Sequence, residues 1–318
     1  MLRLLGKMNL KLLIKMPEKK LALMLGYECN NNCVFCYAAD KKNIPPMTTN
    51  RAKEELRKGL ERGCRFVDFN GGEPSIRKDI LELIRYAKEL GYKIISMTTN
   101  GRMFYYPEFA EKIVKAGLNS LVFSIHGHNA KLHDCLTRVN GSFNQAVEGI
   151  KNIKEITPKV YVCTNTTITK LNYKFLPQIA ENNIAIGADA CEFIFVHPRG
   201  NALKNFDDIV PTFREVATVI PETIGIAKIS GINHFYMRYF PLCYMIGYKN
   251  YLSELDALDK LKEQHIGPEF QDLNVEQGRR LHGRVKGKQC SACQYGSNCE
   301  GIFKEIAERR GFDELVPV

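Results

Sequence analysis

The sequence predicts an α/β protein: an open or closed barrel of six strand-then-helix units over about residues 21–200, followed by a small C-terminal module. Three observations predict it. Short apolar runs alternate with amphipathic stretches of helical period from residue 21 to residue 197. Glycines close several of the helical stretches, Gly91 and Gly117 among them. After Pro198, Arg199 and Gly200 the rhythm fails, and four of the eleven cysteines lie beyond residue 242.

The elements follow in order. Residues 21–27 form a short apolar strand, and 50–62 a polar stretch with apolar positions at helical spacing. Residues 66–69 are a strand that ends in Gly71 and Gly72, and 79–90 an amphipathic helix. Strand 93–98 precedes helix 107–116, and strand 120–125 precedes helix 142–153. Residues 160–163 begin a fifth strand, 173–182 form its helix, and 192–196 are a sixth strand. Such units imply parallel strands with right-handed crossovers, so ligands are expected at the C-terminal strand ends. Residues 1–20 read as an N-terminal extension, 201–242 as a linker region with a helix near 212–220, and 243–318 as the second module, ending in a helix at 301–310.

Composition bounds the function. The 318 residues are 45% hydrophobic and 25% charged with 24 Gly and 13 Pro, which excludes disorder, collagen and coiled coil. Arg3, Lys7, Lys11 and Lys15 break up the apolar N-terminus, so no secretory signal is expected, and no apolar run approaches the roughly 20 residues of a membrane span. A cytoplasmic location is expected. Thiols stay reduced there, so metal or iron–sulfur chemistry explains eleven cysteines better than disulfides do.

Cys29, Cys33 and Cys36 form C-x3-C-x2-C just after the first strand. Three soft thiolates on so short a loop can wrap one face of an iron–sulfur cube, and with no fourth thiol nearby one iron stays open. A zinc knuckle is the alternative, but no partner pair lies within about 15–20 residues. Gly71 and Gly72, followed by Glu73 and Pro74, let the backbone approach a ligand closely. Asn100, Ser124 and Asn165 fall at the ends of the third, fourth and fifth strands, and Arg138 lies on the loop after the fourth.

Taken together, these motifs resemble the radical S-adenosylmethionine (SAM) enzymes: the cysteine spacing, Phe35 before the third cysteine, and Gly71 to Pro74 at the second strand end. The resemblance covers about residues 21–197 and implies a partial (β/α)6 radical SAM barrel. It implies a [4Fe–4S] cluster on Cys29, Cys33 and Cys36 whose open iron takes the methionine amino and carboxylate groups of SAM. Gly71, Gly72, Glu73 and Pro74 would hold the ammonium, Ser124 and Arg138 the carboxylate or ribose, and Phe35 the adenine side, with Asn100 and Asn165 as looser matches. A guanidinium suits a carboxylate through paired hydrogen bonds. The implied reaction is reductive cleavage of SAM to a 5′-deoxyadenosyl radical that takes a hydrogen atom from a peptide or a small-molecule cofactor precursor.

In the tail, Cys290, Cys293 and Cys299 give C-x2-C-x5-C, with Cys243 upstream. This resembles the auxiliary-cluster SPASM and twitch domains of radical SAM enzymes. Four cysteines suffice for one auxiliary [4Fe–4S] cluster. Phe303 stands where the SPASM pattern would place a further cysteine, which points to the twitch-like version. Without Cys243 as a ligand, the auxiliary iron would be open to substrate. Zinc is the rival ligand here.

Other residues have plainer uses. Cys64, Cys135, Cys163 and Cys191 are expected to be small buried apolar residues, with Cys135 and Cys163 near the C-terminal end of the barrel. His126, His128 and His133 fit a hydrogen-bonding loop better than a metal set, and His197 at the sixth strand end faces the predicted site. The net charge is +10, and Arg279, Arg280, Arg284, Lys286 and Lys288 form a basic run. That run could meet phosphate on a substrate, meet an acidic electron donor such as ferredoxin or flavodoxin, or be a solvated loop. The Arg3 to Lys15 stripe suits packing under the barrel, or contact with a membrane surface. The competing hypothesis is a non-enzymatic zinc- or iron–sulfur-containing nucleic-acid-binding protein. Nucleic acid finds little support, since the basic run lacks interleaved aromatics.

Overall fold

The computed structural model describes residues 19–232, 234–255 and 262–318. The N-terminal basic stripe lies outside the described residues. One sheet organises the chain, with strand order β7-β6-β5-β4-β3-β2-β1-β8-β9. The first six strands are β1 (Lys19–Met24), β2 (Phe66–Asn70), β3 (Ile94–Thr99), β4 (Ser120–Ser124), β5 (Tyr161–Ile168) and β6 (Ala190–Phe195). Each pairs in parallel with the next, as the six-unit expectation requires. The helices between them are α1 (Thr49–Glu61), α2 (Ile80–Glu89), α3 (Pro107–Ala116), α4 (Ala130–Thr137), α5 (Ser142–Ile156) and α6 (Leu176–Ala185). Among the described residues the strands do not close into a barrel; the architecture is a partial barrel.

Sequence chemistry accounts for these elements. Thr48 caps α1 by accepting from Arg51 N–H at 3.2 Å, and Ala52 and Leu56 turn inward from it. Strict alternation along β5 buries Val162, Thr164, Thr166 and Ile168 and leaves Tyr161, Cys163, Asn165 and Thr167 half-buried on the opposite face. That second face of the sheet is polar: Lys20 on β1 sits 3.8 Å from Asp68 on β2, and Glu192 on β6 3.4 Å from Asn165 on β5.

Two expectations change. Residues 201–242 are not merely a linker. They hold α7 (Asn201–Lys204), α8 (Phe206–Ile209), α9 (Phe213–Ala217) and α10 (Ile220–Ser230), then β7 (His234–Arg238), which pairs in parallel with β6. A capping box between Thr212 and Glu215 starts α9, and Phe206, Phe213 and Val216 join the core around β6. Nor is the tail wholly separate. β8 (Lys262–Ile266) pairs in parallel with β1, and β9 (Gln271–Asp272) returns antiparallel to it. Only the last part is a small module: α11 (Val275–Gly278), a π-turn at Arg279–Gly283, the hairpin of β10 (Arg284–Val285) with β11 (Ile302–Phe303), and α12 (Lys304–Arg310). The strand at 302–303 takes the start of the helix expected from residue 301. Helix α4 lies in a stretch for which the sequence predicts no helix; Asn129 caps it by accepting from Leu132 N–H at 3.0 Å.

Candidate functional site

The Cys29–Cys36 loop leaves the C-terminal end of β1 and is held from four sides. Gly72 N–H donates to Gly26 C=O and Glu73 N–H to Glu28 C=O, both at 2.8 Å. A Cβ on Gly71 would stand 2.3 Å from the Gly26 oxygen, and one on Gly72 2.1 Å from the Glu28 oxygen. The two glycines therefore admit the Gly26–Glu28 backbone that leads into the cysteine loop, where the sequence suggested only room for a ligand. From α4, Thr137 and Leu136 carbonyls accept from Asn32 and Val34 N–H at 3.0 and 2.9 Å. Asn201, at the start of α7, donates through its backbone N–H to Cys36 C=O and through Nδ2 to Cys33 C=O, both at 2.9 Å.

The end of β3 supplies the fourth side. Asn100 Nδ2 donates to Asn30 Oδ1 at 2.6 Å and lies 3.8 Å from Cys29 Sγ, which also accepts from Asn31 N–H at 3.3 Å. Arg102 reaches the Asn30 carbonyl, Asn31 Oδ1 at 3.2 Å and Gln145 Oε1 at 2.7 Å. The sequence reading missed both Arg102 and Asn201. Arg102 lies two residues past Asn100, and Asn201 follows the Gly200 at which the strand–helix rhythm of the sequence stops.

Glu73 ties these pieces together. Its carboxylate accepts from Ser75 N–H and Oγ, from Thr99 Oγ1 and from Asn100 N–H at 2.6–3.1 Å. Burial pushes this carboxyl above its ordinary range while those donors pull it back. With its oxygens committed to protein donors, Glu73 shapes the site, and the backbone of Gly71 to Pro74 is what remains to meet a ligand. Phe35 is buried, edge-on to the His126 ring at 4.7 Å. The His126 backbone N–H donates to His133 Nδ1 at 3.1 Å; the two histidines hydrogen-bond as expected, but His133 stands on α4 and not on a loop. Ser124 and Asn165 are register partners on β4 and β5 and half-buried. Arg138 has φ +58, makes no hydrogen bond or ion pair with a described residue, and lines an open depression along α4 with Lys131, Asp134 and Cys135. Cys64 and Cys191 are buried as expected, but Cys163 is only partly so and Cys135 is exposed, because it points off the outer turn of α4.

Burial raises the Cys29 thiol to about 11 and pushes Cys33 and Cys36 up as well. Cys33 also feels the other two sulfurs. Three half-buried thiols gathered on one loop disfavour the thiolate form unless a cation stands among them, and iron supplies that charge. Among the described residues no three His, Cys, Asp or Glu side chains converge on a point where one ion would sit. The cysteines of a cubane each meet a different iron, so they ring a space and need not share a point.

In the tail, Cys243, Cys290, Cys293 and Cys299 line one cavity with Leu242 and Tyr295. Cys299 Sγ accepts from Leu242 N–H at 3.4 Å and Gly301 N–H at 3.3 Å. Burial raises the Cys243 thiol, and Cys299 and Cys290 add to the shift. So the 46-residue gap is bridged in space. All eleven cysteines are free thiols.

Residues 23–181 match the radical SAM superfamily. The chain belongs to that superfamily. It is an enzyme, and its cofactors are a [4Fe–4S] cluster and SAM; the non-enzymatic nucleic-acid-binding alternative is thereby overturned. A probable GTP 3',8-cyclase of Saccharolobus solfataricus is 30% identical to this radical SAM enzyme over 230 residues, 70% of this chain and 71% of that one. An AdoMet-dependent heme synthase of Methanosarcina barkeri is 31% identical over 185 residues, 58% of this chain and 52% of that one. In fold it is similar to Streptococcus suis SuiB bound to S-adenosylmethionine, with a TM-score of 0.67, 17% identity, and coverage of 94% of this chain and 76% of that one. It is also similar to anSMEcpe with bound AdoMet and a peptide, at 0.66 and 14%, covering 94% and 92%. No helix among the described residues is long and apolar enough to cross a membrane.

Proposed function

We propose that this radical SAM enzyme works with two iron–sulfur clusters and takes a hydrogen atom from a peptide or small-molecule substrate held against the polar face of its sheet. Cys29, Cys33 and Cys36 would hold the SAM-binding cluster, and Cys243, Cys290, Cys293 and Cys299 an auxiliary one. The observation that carries the two-cluster proposal is the convergence of those four tail thiols on one cavity. The first cluster, when bound, supplies the electron that cleaves SAM and so yields the radical that attacks the substrate.

The chain's own residues do the rest. Asn100, Arg102 and Asn201 fix the cysteine loop, and N–H groups aimed at Cys29 Sγ and Cys299 Sγ lower the electron density on those sulfurs. The backbone of Gly71 to Pro74 would take the SAM ammonium. Ser124, Asn165 and the unpartnered Arg138 would take its carboxylate and ribose, and Phe35 would bound the adenine side. A cytoplasmic setting, with ferredoxin or flavodoxin as electron donor, suits eleven free thiols and a net charge of +10. Residues 21–200 and 243–318 would act as the SAM-binding and auxiliary-cluster units, with 201–242 joining them through β7.

Anaerobically reconstituted protein given SAM and dithionite should yield 5′-deoxyadenosine and contain about eight irons per chain. No 5′-deoxyadenosine from iron-replete protein would end the proposal, and about four irons would end its two-cluster part. Deuterium transfer from labelled candidates into 5′-deoxyadenosine identifies the substrate.

A further inference from the structure

The basic run of the tail is divided by the fold. Lys288 stays exposed, whereas Arg279 and Arg284 turn inward at either end of the π-turn Arg279–Gly283. Arg279 is satisfied by Glu300, with two contacts of 2.8 Å. Arg284 is not. It is 5% exposed, its Nε and Nη2 are buried without a hydrogen-bond partner, and it has no ion pair among the described residues. Its guanidinium lies 3.5 Å from the centre of the Phe303 ring and 4.8 Å from that of Tyr239.

Tyr239 is the hub. Arg238, the last residue of β7, stands 5.3 Å from the same ring, and its Nε is also buried and unpartnered while Nη1 meets Glu192 at 3.2 Å. Tyr239 adopts φ +69, a strained conformation for a bulky residue, held by its N–H donating to Glu254 at 2.6 Å. The carboxylates nearby are already engaged: Glu192 by Arg238 and Asn165, Glu300 by Arg279, Glu254 by the Tyr239 backbone. Three guanidinium nitrogens thus lie buried with no acceptor among the described residues, an arrangement that a folded protein seldom leaves unfilled. Arg238 and Glu192 belong to the polar face of the sheet, and Phe303, 5.6 Å from Tyr239, stacks at 4.4 Å on His197 just beyond β6.

We propose that Arg284 and Arg238, arranged around Tyr239, anchor an oxyanion, carboxylate or phosphate, carried by the substrate of this enzyme. The assignment rests on the proposed substrate position and names the class of molecule that fills it. A planar fork with free N–H groups suits either oxyanion, and the aromatic floor of Tyr239 and Phe303 holds the fork in place.

The test uses the reconstituted full-length chain, with inorganic phosphate and succinate as probes at matched ionic strength, read by thermal stabilisation. Wild-type protein should be stabilised by at least one probe, and the probe that acts tells phosphate from carboxylate. Arg284→Met should weaken that effect at least tenfold, while Lys288→Gln on the exposed part of the run leaves it unchanged. No stabilisation of wild type by either probe, or equal stabilisation of Arg284→Met, overturns the assignment. If Arg284→Met loses iron or its cooperative melt, Arg284→Lys decides: it keeps the charge and loses the fork, so a weakened response supports the anchor and an unchanged one overturns it. Formation of 5′-deoxyadenosine without substrate is measured in the same preparations. Its loss in wild type would count against the radical chemistry and leave the anion result standing.

Discussion

Replacing Gly72 by alanine tests how the cysteine loop is held. The new methyl would stand 2.1 Å from the Glu28 oxygen and 2.6 Å from the carbonyl carbons of Glu28 and Tyr27, all backbone atoms. Reaching even a tight 3.0 Å contact takes a displacement of about 0.9 Å, and no flexible side chain is there to yield. That shift lifts the loop off the Gly72–Gly26 and Glu73–Glu28 hydrogen bonds. Overpacking costs about 1–3 kcal/mol and each hydrogen bond about 1 kcal/mol, so the apoprotein should lose about 3–5 kcal/mol. Urea unfolding of the apoprotein measures this, and iron analysis after reconstitution should show the first cluster depleted while tail iron persists. Gly91→Ala is the control. Its Cβ meets nothing within 4 Å, so only its φ of +89° is penalised, by about 1–2 kcal/mol. A Gly72→Ala protein within about 1 kcal/mol of wild type and fully iron-loaded would refute the close-approach explanation.

Other perturbations address separate contacts. Arg102→Ala should cost about 2–4 kcal/mol by stripping donors from Asn30, Asn31 and Gln145, and should speed proteolysis within the cysteine loop; unchanged proteolysis would remove Arg102 from the clamp. Cys293→Ala should lower iron by about four per chain and leave the absorbance of the first cluster intact, and loss of all iron would show the two sites to be interdependent. Glu269 has its carboxyl pushed up by burial but pulled to a net lower value by Lys41 and Tyr27, which donate to it at 2.9 Å and 2.8 Å. A depressed folded pKa stabilises above the unfolded carboxylate range and loses that contribution as pH falls through the folded value. Protection of the Gly267, Glu269 and Phe270 amides, measured against their intrinsic exchange rates, should therefore fall in acid, and Glu269→Gln should remove that fall.

The sequence made the repeating part of this molecule legible because each unit carries its own signal. A buried strand, a glycine stop and a helical period are local, and the first six strands lie close to where those signals put them. The cysteine spacings were legible for the same reason. Strands β7 and β8 were not. They are five residues each, rich in polar side chains such as Arg238, Glu263 and His265, and they exist because an existing sheet edge offers them a partner. No local pattern announces that. Arg284 shows the same limit from the other side. In sequence it is one of five basic residues, and only the packing of β10 on β11 turns it inward while Lys288 stays out.

The pairing of β8 with β1 has a consequence for synthesis. Lys19 faces Lys262 across that ladder, a separation of roughly 240 residues, so the open edge of the first strand cannot be covered until most of the chain has been made. At about 5–20 residues per second that is a wait of roughly 12–50 s with an unpaired, largely apolar edge exposed. Lys20, flanked by Lys19 on that edge, places positive charge where stray strands would otherwise add. The two lysines at the start of the sheet thus guard a nascent chain against its neighbours before one of them settles between Asp68 and Glu263 in the finished fold.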